Sequence, residues 1–507
     1  MVGQPVKIGP FVGGMNTYTG PSAIADNEAV EITNLDIDLD GSLTSRPGLA
    51  IIGAATPEPG LSHIIGIYRT SLDVVYVIYA FAAEVNAYNT STGAWTLITA
   101  NACTAAVQYN DKLWLVRKPL GVVQGGFKWD PVGGTVAVAA MPRGYSACIY
   151  KERMFISASR NGDETSINRV KFSNAADPDT WGGTDYFDVA GGDGQDIAKI
   201  YVFDASIVIF KTDSTYVYAY ETAPTKGQVQ IVSATIGANN NYCVVEYENN
   251  LFVMHEDNVY RISNWNWEHA NIKVPFEYVN IGAVGTAESS SLSLLGNRLI
   301  CRYFDNYYII GMKTGAWTKW EFGVDRFPSE FISNPSISPL VGTADYYGGS
   351  YRTATSKQYI FRDTYDTVED FDIKLVTKSY DFGPSYTFKR LFWWGADLLA
   401  KSVTTFKVSP IVYAVPITWS QLIGVPFSTL GTWGRPLDVD IDVTDSASNS
   451  NPASYRTFTK LLKGLRFRQV GFTLESTLDG TSETGPYRIF SLTAIVDSKQ
   501  VVSKKVS

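Results

Sequence analysis

Three histidines, four cysteines and a large stock of carboxylates are the side chains from which a catalytic or metal-binding centre could be built. His255 is followed by Glu256 and Asp257, which offers a base beside a carboxylate. Its flanks, Phe252-Val253-Met254 and Asn258-Val259-Tyr260, read as two strands, so His255-Glu256-Asp257 is expected to be a turn between them. His63 and His269 stand far from it in sequence and bring no motif of their own. Cys103, Cys148, Cys243 and Cys301 lie 45, 95 and 58 residues apart, without a CxxC pair or a Cys/His cluster. Zinc sites use such pairs, so the thiols read as buried, reduced side chains suited to a reducing cytosol. Asp36-Ile37-Asp38-Leu39-Asp40-Gly41 opens like a calcium loop, but Pro47 stands where a bidentate glutamate should close it. A polar hairpin turn with Gly41 at positive φ accounts for those residues, and Asp193-Gly194 reads the same way.

No HExxH, GxSxG or GxxxxGK[ST] motif occurs. Paired carboxylates of the glycosidase kind cannot be recognised from spacing along the chain, and the Ser-x-Asp-x-Gly-x-Thr-Trp boxes of sialidase blades are missing. The expectation is a protein that is not an enzyme, with no catalytic residue, no cofactor-binding residue, no metal ligand and no cofactor; ligand-binding residues are left unassigned.

The elements that would carry any site are strands. Among 507 residues there are 30 Tyr, 25 Phe and 12 Trp, side chains that suit a pleated, half-buried surface, and 43 Gly to serve turns. The net charge of −8 lacks the basic excess with which proteins grip nucleic acid, although an acidic wall would let a duplex slide past. The N-terminus does not read as a signal peptide, and no apolar run of membrane-spanning length occurs.

A phrase recurs: an aromatic or apolar residue, a polar turn, then an apolar run. It begins at Tyr109, Tyr150, Phe203, Tyr247 and Leu295, at intervals of 41, 53, 44 and 48. Looser copies start at Tyr68 and lie between Tyr346 and Phe361. Thr92-Gly93-Ala94-Trp95-Thr96 is repeated as Thr314-Gly315-Ala316-Trp317-Thr318, each copy reading as a hairpin turn into the next strand. Repeats of this length, each holding several short strands, are the sign of propeller blades. The fold class expected is all-β: a β-propeller, seven blades favoured and six the alternative, followed by a C-terminal β-sandwich. Residues 1–50 are expected to form an N-terminal arm whose strands close the propeller, 51–370 the propeller and 371–507 the sandwich. Within the last part, Lys463 to Leu474 reads as one strand of alternating basic and apolar residues and, with the polar tail Ser498 to Ser507, as a candidate contact with neighbouring subunits. Gly424 to Ser454, holding Asp438, Asp440, Asp442 and Asp445, reads as a long loop with a strand inside it.

Two stretches resemble a family of bacteriophage tail proteins. The first comprises Phe11-Val12-Gly13-Gly14-Met15-Asn16, Asn27-Glu28-Ala29, Asn34-Leu35-Asp36 and Gly41-Ser42-Leu43-Thr44-Ser45-Arg46-Pro47-Gly48. The second runs from Phe172-Ser173-Asn174 through Asp177-Pro178-Asp179-Thr180-Trp181 and Asp193-Gly194-Gln195-Asp196-Ile197 to Phe210-Lys211-Thr212-Asp213-Ser214-Thr215-Tyr216. The resemblance implies a virion component of the tail hub, nozzle or stabilisation type, assembled as a homo-oligomeric ring, a hexamer in short-tailed phages. Portal, adaptor or tail-tube proteins would lie above it, and tail-fibre or tail-tip (needle) proteins beside or below. DNA would pass through the lumen without sequence-specific binding, and nothing would insert into a membrane. Such a part resides in the virion tail and is made and assembled in the host cytoplasm, where it seals the genome and takes part in ejection. The alternatives are a receptor- or glycan-binding tail-tip propeller, for which Trp265-Asn266-Trp267 is the surface group to examine, and a cell-envelope glycosidase.

Overall fold

The computed structural model describes residues 4–51, 62–119, 125–157, 167–276, 290–322, 328–333, 345–350, 359–362, 371–380, 389–400, 406–413, 440–441, 454–467, 469–478 and 488–497. Among them the only helical element is a single 3-10 turn, Pro224–Lys226, and everything else regular is strand.

The recurring phrase is the hairpin between the first and second strands of a blade. Its polar centre falls on two residues held at positive φ: Asn110 and Asp111 (49° and 56°), Lys151 and Glu152 (46° and 61°), Asp204 and Ala205 (46° and 55°), Glu248 and Asn249 (45° and 58°). Two left-handed residues in succession make the turn whose twist matches that of paired strands. In the fifth copy Gly296 (59°) opens the turn.

These hairpins head four-stranded antiparallel sheets. Blade 1 contains Ser62–Arg69, Val75–Phe81, Val85–Asn89 and Trp95–Thr99. Blade 2 contains Cys103–Tyr109, Lys112–Arg117, Gly126–Asp130 and Gly134–Val138; blade 3 contains Ala147–Tyr150, Arg153–Ser157, Arg169–Phe172 and Tyr186–Asp188. Blade 4 has Ile197–Phe203, Ser206–Lys211, Thr215–Ala219 and Gln228–Ser233; blade 5 has Val244–Tyr247, Asn250–His255, Asn258–Ser263 and Asn266–His269. Blade 6 is Ser290–Leu295, Arg298–Tyr303, Asn306–Gly311 and Trp317–Trp320. Blade 7 takes Pro328–Ser333, Asp345–Ser350 and Tyr359–Arg362 from one end of the propeller sequence, and its outer strand, Leu49–Ile51, from the other. The first strands of blades 7 and 1 also touch, so the seven blades close into a circle.

Blades 2 to 5 are buried on both faces, and the second strands of blades 2 and 4 show how. Leu113 and Leu115 face the core between blades 1 and 2, while Trp114 and Val116 face that between 2 and 3. Ile207 and Ile209 pack towards blade 3, Val208 and Phe210 towards blade 5. The alternation of a strand is thus spent on two apolar neighbours, and the strand reads as an unbroken apolar run.

The remaining strands form a sandwich. One sheet is ordered Leu35–Ile37, Leu43–Ser45, Arg488–Asp497, Lys389–Ala400, Ser454–Phe467, with Gln4–Ile8 also on Arg488–Asp497. The other runs through Glu28–Thr33, Phe371–Thr377, Gln469–Leu478, Phe406–Tyr413 and Asp440–Ile441. Ile8, Leu43, Ile489, Leu492 and Ala494 of the first share a core with Ile32, Ile373, Leu375, Phe472 and Leu474 of the second.

The N-terminal segment 1–50 therefore divides: its strands from Gln4 to Ser45 pair within or onto the sandwich sheets, and only the strand beginning at Leu49 closes the propeller. The span Lys463 to Leu474 is corrected to two strands in opposite sheets, ending at Phe467 and resuming at Gln469. An alternating pattern cannot show that the chain changes sheets where the apolar face would otherwise turn to solvent. Within Gly424 to Ser454 the described strand is Asp440–Ile441, paired with Phe406 and Lys407; Asp438, Asp442, Asp445 and the tail Ser498 to Ser507 lie outside the described residues.

Phe155, fully buried between blades 3 and 4, tests this packing. Phe155→Ala should cost about 3–5 kcal/mol in urea unfolding, whereas Val132→Ala, at a turn residue 99% exposed, should stay within about 0.5 kcal/mol of the parent.

Candidate functional site

Two places concentrate polar chemistry: the seam between sandwich and propeller, and the mouth of the propeller axis. At the seam, the parallel pairing of Thr33 with Lys319 joins the outer strand of blade 6 to a sandwich strand, so one ten-stranded sheet crosses both units. Arg46 is fully buried there. Its Nε donates to Asn34 Oδ1 (2.9 Å), Nη1 to the Pro47 carbonyl (3.0 Å) and Nη2 to the Glu321 carbonyl (3.1 Å). The guanidinium lies 4.1 Å from the Phe371 ring centroid and 4.7 Å from that of Phe322. Asn34, at φ 57°, donates to the Asp372 carbonyl (2.7 Å) and accepts from the Glu321 N–H (2.8 Å). Asp36 accepts from Trp320 Nε1 (3.0 Å) and pairs with Arg298 (2.8 Å). Burial pushes its carboxyl above the usual range, against the opposing pull of Arg298.

The Asp36–Gly41 segment is the hairpin turn expected of it. Gly41 sits at φ 78°, Thr44 Oγ1 donates to Asp38 Oδ2 (2.6 Å), and Ser42 N–H and Oγ donate to Asp40 Oδ1 (2.9 and 2.7 Å). The role of Asp36 was invisible in sequence, because its partners lie more than 250 residues away. Glu28 accepts from Asn16 Nδ2 (2.9 Å) and the Ala25 N–H (3.0 Å) and pairs with Lys273 (2.6 Å). Gly14 (φ 73°) lets the arm run against the second TGAWT turn: a Cβ there would meet the Trp317 nitrogen at 2.7 Å. In the second motif stretch, buried Lys211 donates to both Asp193 oxygens (2.6 and 2.5 Å) and to the Val189 carbonyl (3.2 Å), tying the loop before blade 4 to that blade. Trp181 Nε1 donates to the Pro178 carbonyl (2.8 Å) within its own turn.

At the axis, residues 239–242, in the connection from blade 4 to blade 5, reach blades 1, 2 and 6. Asn241 Nδ2 donates to the carbonyls of Thr104 (3.1 Å) and Tyr145 (3.2 Å), and Asn240 Nδ2 to that of Ser290 (2.9 Å). Tyr242 stacks on His63 of blade 1 at 4.4 Å between ring centroids and 10° between planes. A cavity of about 470 Å³ lies here, bordered by His63, Phe81, Lys118, Asp196 and Tyr242. Nearby, Lys199 on the first strand of blade 4 is half-buried, with protein crowding its ammonium. Desolvation lowers its pKa to about 8, opposed weakly by the Cys148 and Cys243 thiols. Burial in turn raises the Cys148 thiol to about 12 and Cys301 well above its ordinary value. Such thiols stay protonated and unreactive at neutral pH.

The histidines do not meet. His63 is at the axis, His255 is buried at the end of its strand with Glu256 (φ 53°) opening the turn after it, and His269 sits on an outer strand with a ring nitrogen 2.9 Å from Asn271 Oδ1. All four cysteines are buried and free. Among the described residues no group of three His, Cys, Asp or Glu side chains is placed to hold a metal ion, and no helix is long and apolar enough to cross a membrane.

No family model and no curated protein matches the chain. Solved structures align at low similarity. The extracellular domain of a hybrid two-component system protein from B. thetaiotaomicron aligns at 10% identity over 62% of this chain, with a TM-score of 0.42. This chain spans 39% of that domain's length. The Neurospora crassa Pan2 WD40 domain aligns at 7% identity over 62% of this chain and 95% of its own (TM-score 0.40). YCF48 from Cyanidioschyzon merolae does so at 8%, 62% and 98% (TM-score 0.39).

Two substitutions probe these places. Arg46→Lys keeps the charge but loses the planar fork, and should cost about 3 kcal/mol or more in urea unfolding, as removal of a partner from a buried polar network does. Lys199→Met should stabilise the protein at pH 7 by roughly 1–3 kcal/mol, since an apolar side chain of similar length removes a desolvated charge. The sign with pH follows from a folded-state pKa of about 8 against an ordinary value of 10.5. Between those values the unfolded chain binds more protons, so the parent should gain stability as pH rises through this window, and none below it. Lys199→Met should flatten that rise in unfolding curves recorded at pH 7, 8.5 and 10.

Proposed function

We propose that the chain is a structural component of a bacteriophage tail, of the hub or nozzle type, which assembles as a ring around the DNA exit path. One observation supports this reading above others. The residues that carry the resemblance, spread from Asn16 to Lys211, are fasteners of this architecture. Asn16 and Glu28 fix the arm, Asn34, Asp36 and Arg46 join sandwich to blade 6, and Asp193 with Lys211 pins a loop to blade 4. Motif residues of that kind belong to the architecture that the resemblance implies, because each matters only where its partner in the fold is present. The buried thiols and the acidic balance of −8 fit a part assembled in a reducing cytoplasm beside DNA that it must not hold.

In this role the protein is not an enzyme, needs no cofactor, and contacts portal or adaptor proteins on one side and fibre or tip proteins on the other. Ring closure requires two different patches on each subunit, related by a cyclic axis. Native mass spectrometry of the purified 55.7 kDa chain should give a ring, the hexamer being expected, and peptides of the chain should appear among virion tail proteins. A strict monomer at micromolar concentration that is also absent from virions would overturn the proposal.

A further inference from the structure

We propose that the groove bordered by blades 3, 4 and 5 binds a neutral saccharide. The groove has a volume of about 730 Å³, within the size range of small-molecule sites. Val217 and Ala219 of blade 4, Tyr150 and Lys151 of blade 3 and Trp265 of blade 5 line it.

Trp265 lies in the two-residue turn between the third and fourth strands of blade 5, with Asn264 at φ 47° and Trp265 itself at φ 63°. Glycine or asparagine would take that conformation readily, whereas a bulky side chain there is strained. The indole is nevertheless fixed: Nε1 donates to Asp204 Oδ2 (3.3 Å), and the ring meets Phe203 edge-on at 5.9 Å and 76°. It remains half-buried, so part of a rigid aromatic surface faces the groove.

Gln228 and Gln230 line the same groove, two residues apart on the outer strand of blade 4 and therefore on one side of it, roughly 7 Å from each other. Both are exposed, and neither side chain has a hydrogen-bond partner among the described residues; the same is true of Glu221 and Thr222. At the axial mouth, by contrast, Asn239, Asn240 and Asn241 all donate to backbone carbonyls of the fold. Free amides opposite a fixed indole match the two surfaces of a sugar ring: its C–H face lies on the aromatic plane while its hydroxyls exchange hydrogen bonds with the amides. Two amides at this spacing reach hydroxyls at opposite ends of one ring.

Charge at the site argues for a neutral ligand. The Lys151 ammonium is committed to the Tyr220 carbonyl and lies over the rings of Tyr220 (4.8 Å) and Tyr150 (5.3 Å). What remains is one exposed acid, Glu221, and one exposed base, Lys226. Tyr220, 7% exposed, adds a hydroxyl that lacks hydrogen-bond geometry to any group, with the Arg153 guanidinium close by.

Saturation-transfer NMR on the intact protein with D-glucose, D-galactose, N-acetyl-D-glucosamine and L-rhamnose, each at millimolar concentration, tests the assignment. At least one sugar should receive transfer at its ring protons, with an affinity that changes less than about twofold on adding 0.5 M salt. Trp265→Gly suits the backbone and should weaken binding at least about tenfold, equivalent to about 1.4 kcal/mol. The double variant Gln228→Ala/Gln230→Ala should weaken it several-fold, and decides the matter if circular dichroism shows that Trp265→Gly is unfolded. No transfer to any of the four sugars, or undiminished transfer in the folded variants, would overturn the inference. It stands apart from ring assembly: a strict monomer absent from virions that binds sugar would refute the tail-ring reading and leave the groove intact, and a ring that binds none would do the reverse.

Discussion

A four-stranded sheet whose second strand carries apolar side chains on both faces is not stable alone. Leu113 and Leu115 need blade 1 as much as Trp114 and Val116 need blade 3, and the same holds at blades 3 to 5. Covering one face exposes the demand of the next, so the series ends only when the last blade meets the first. The strand that completes this circle, Leu49–Ile51 on Tyr359–Arg362, pairs residues more than 300 positions apart. Its loop-closure cost grows only slowly with that separation, while it fastens the whole ring of apolar interfaces.

Because the closing strand arrives directly from the sandwich, the two units cannot be treated as beads on a string. Ser45 ends a sandwich strand, Arg46 enters the buried knot with Asn34 and Glu321, and Leu49 begins the outer strand of blade 7. Within those few residues the chain passes from one core to the other. The sheet continuing from Trp317–Trp320 into Glu28–Thr33, and a core shared by Leu299, Trp317, Ile32 and Leu375, make the seam as continuous as either interior. Relative motion of propeller and sandwich would have to break a fully desolvated guanidinium network, which is far costlier than bending at a linker.

The propeller was legible because its signals are local. Tight turns with two left-handed residues select short polar pairs such as Asn110-Asp111 and Glu248-Asn249, and doubly buried second strands leave apolar runs just after them. Both features lie within about ten residues of chain, so the propeller could be read from a single sequence, with seven blades favoured and six the alternative. What stayed hidden depends on distant pairing: the division of the N-terminal arm, the change of sheet after Phe467, and the fastening of Asp36 by Trp320 and Arg298. Trp265-Asn266-Trp267 marks the limit of pattern reading. Both indoles pack against the core between blades 4 and 5, Trp265 on Phe203 and Trp267 on Tyr260, and Trp265 also borders the open groove.

The axial loop constrains how a ring of such subunits could conduct DNA. Residues 239–242 cross the propeller mouth and hold carbonyls of blades 2 and 6, with Tyr242 stacked on His63 of blade 1. Opening that path would strip Asn241 of both its acceptors and unstack Tyr242 from His63. A conduit is more cheaply made between subunits, where the wall consists of blade rims and sandwich surfaces and no packed interface has to part. In the proposed ring the propeller axis is therefore spanned by this loop in each subunit, and the charge that DNA encounters is set by whichever outer strands face the common centre.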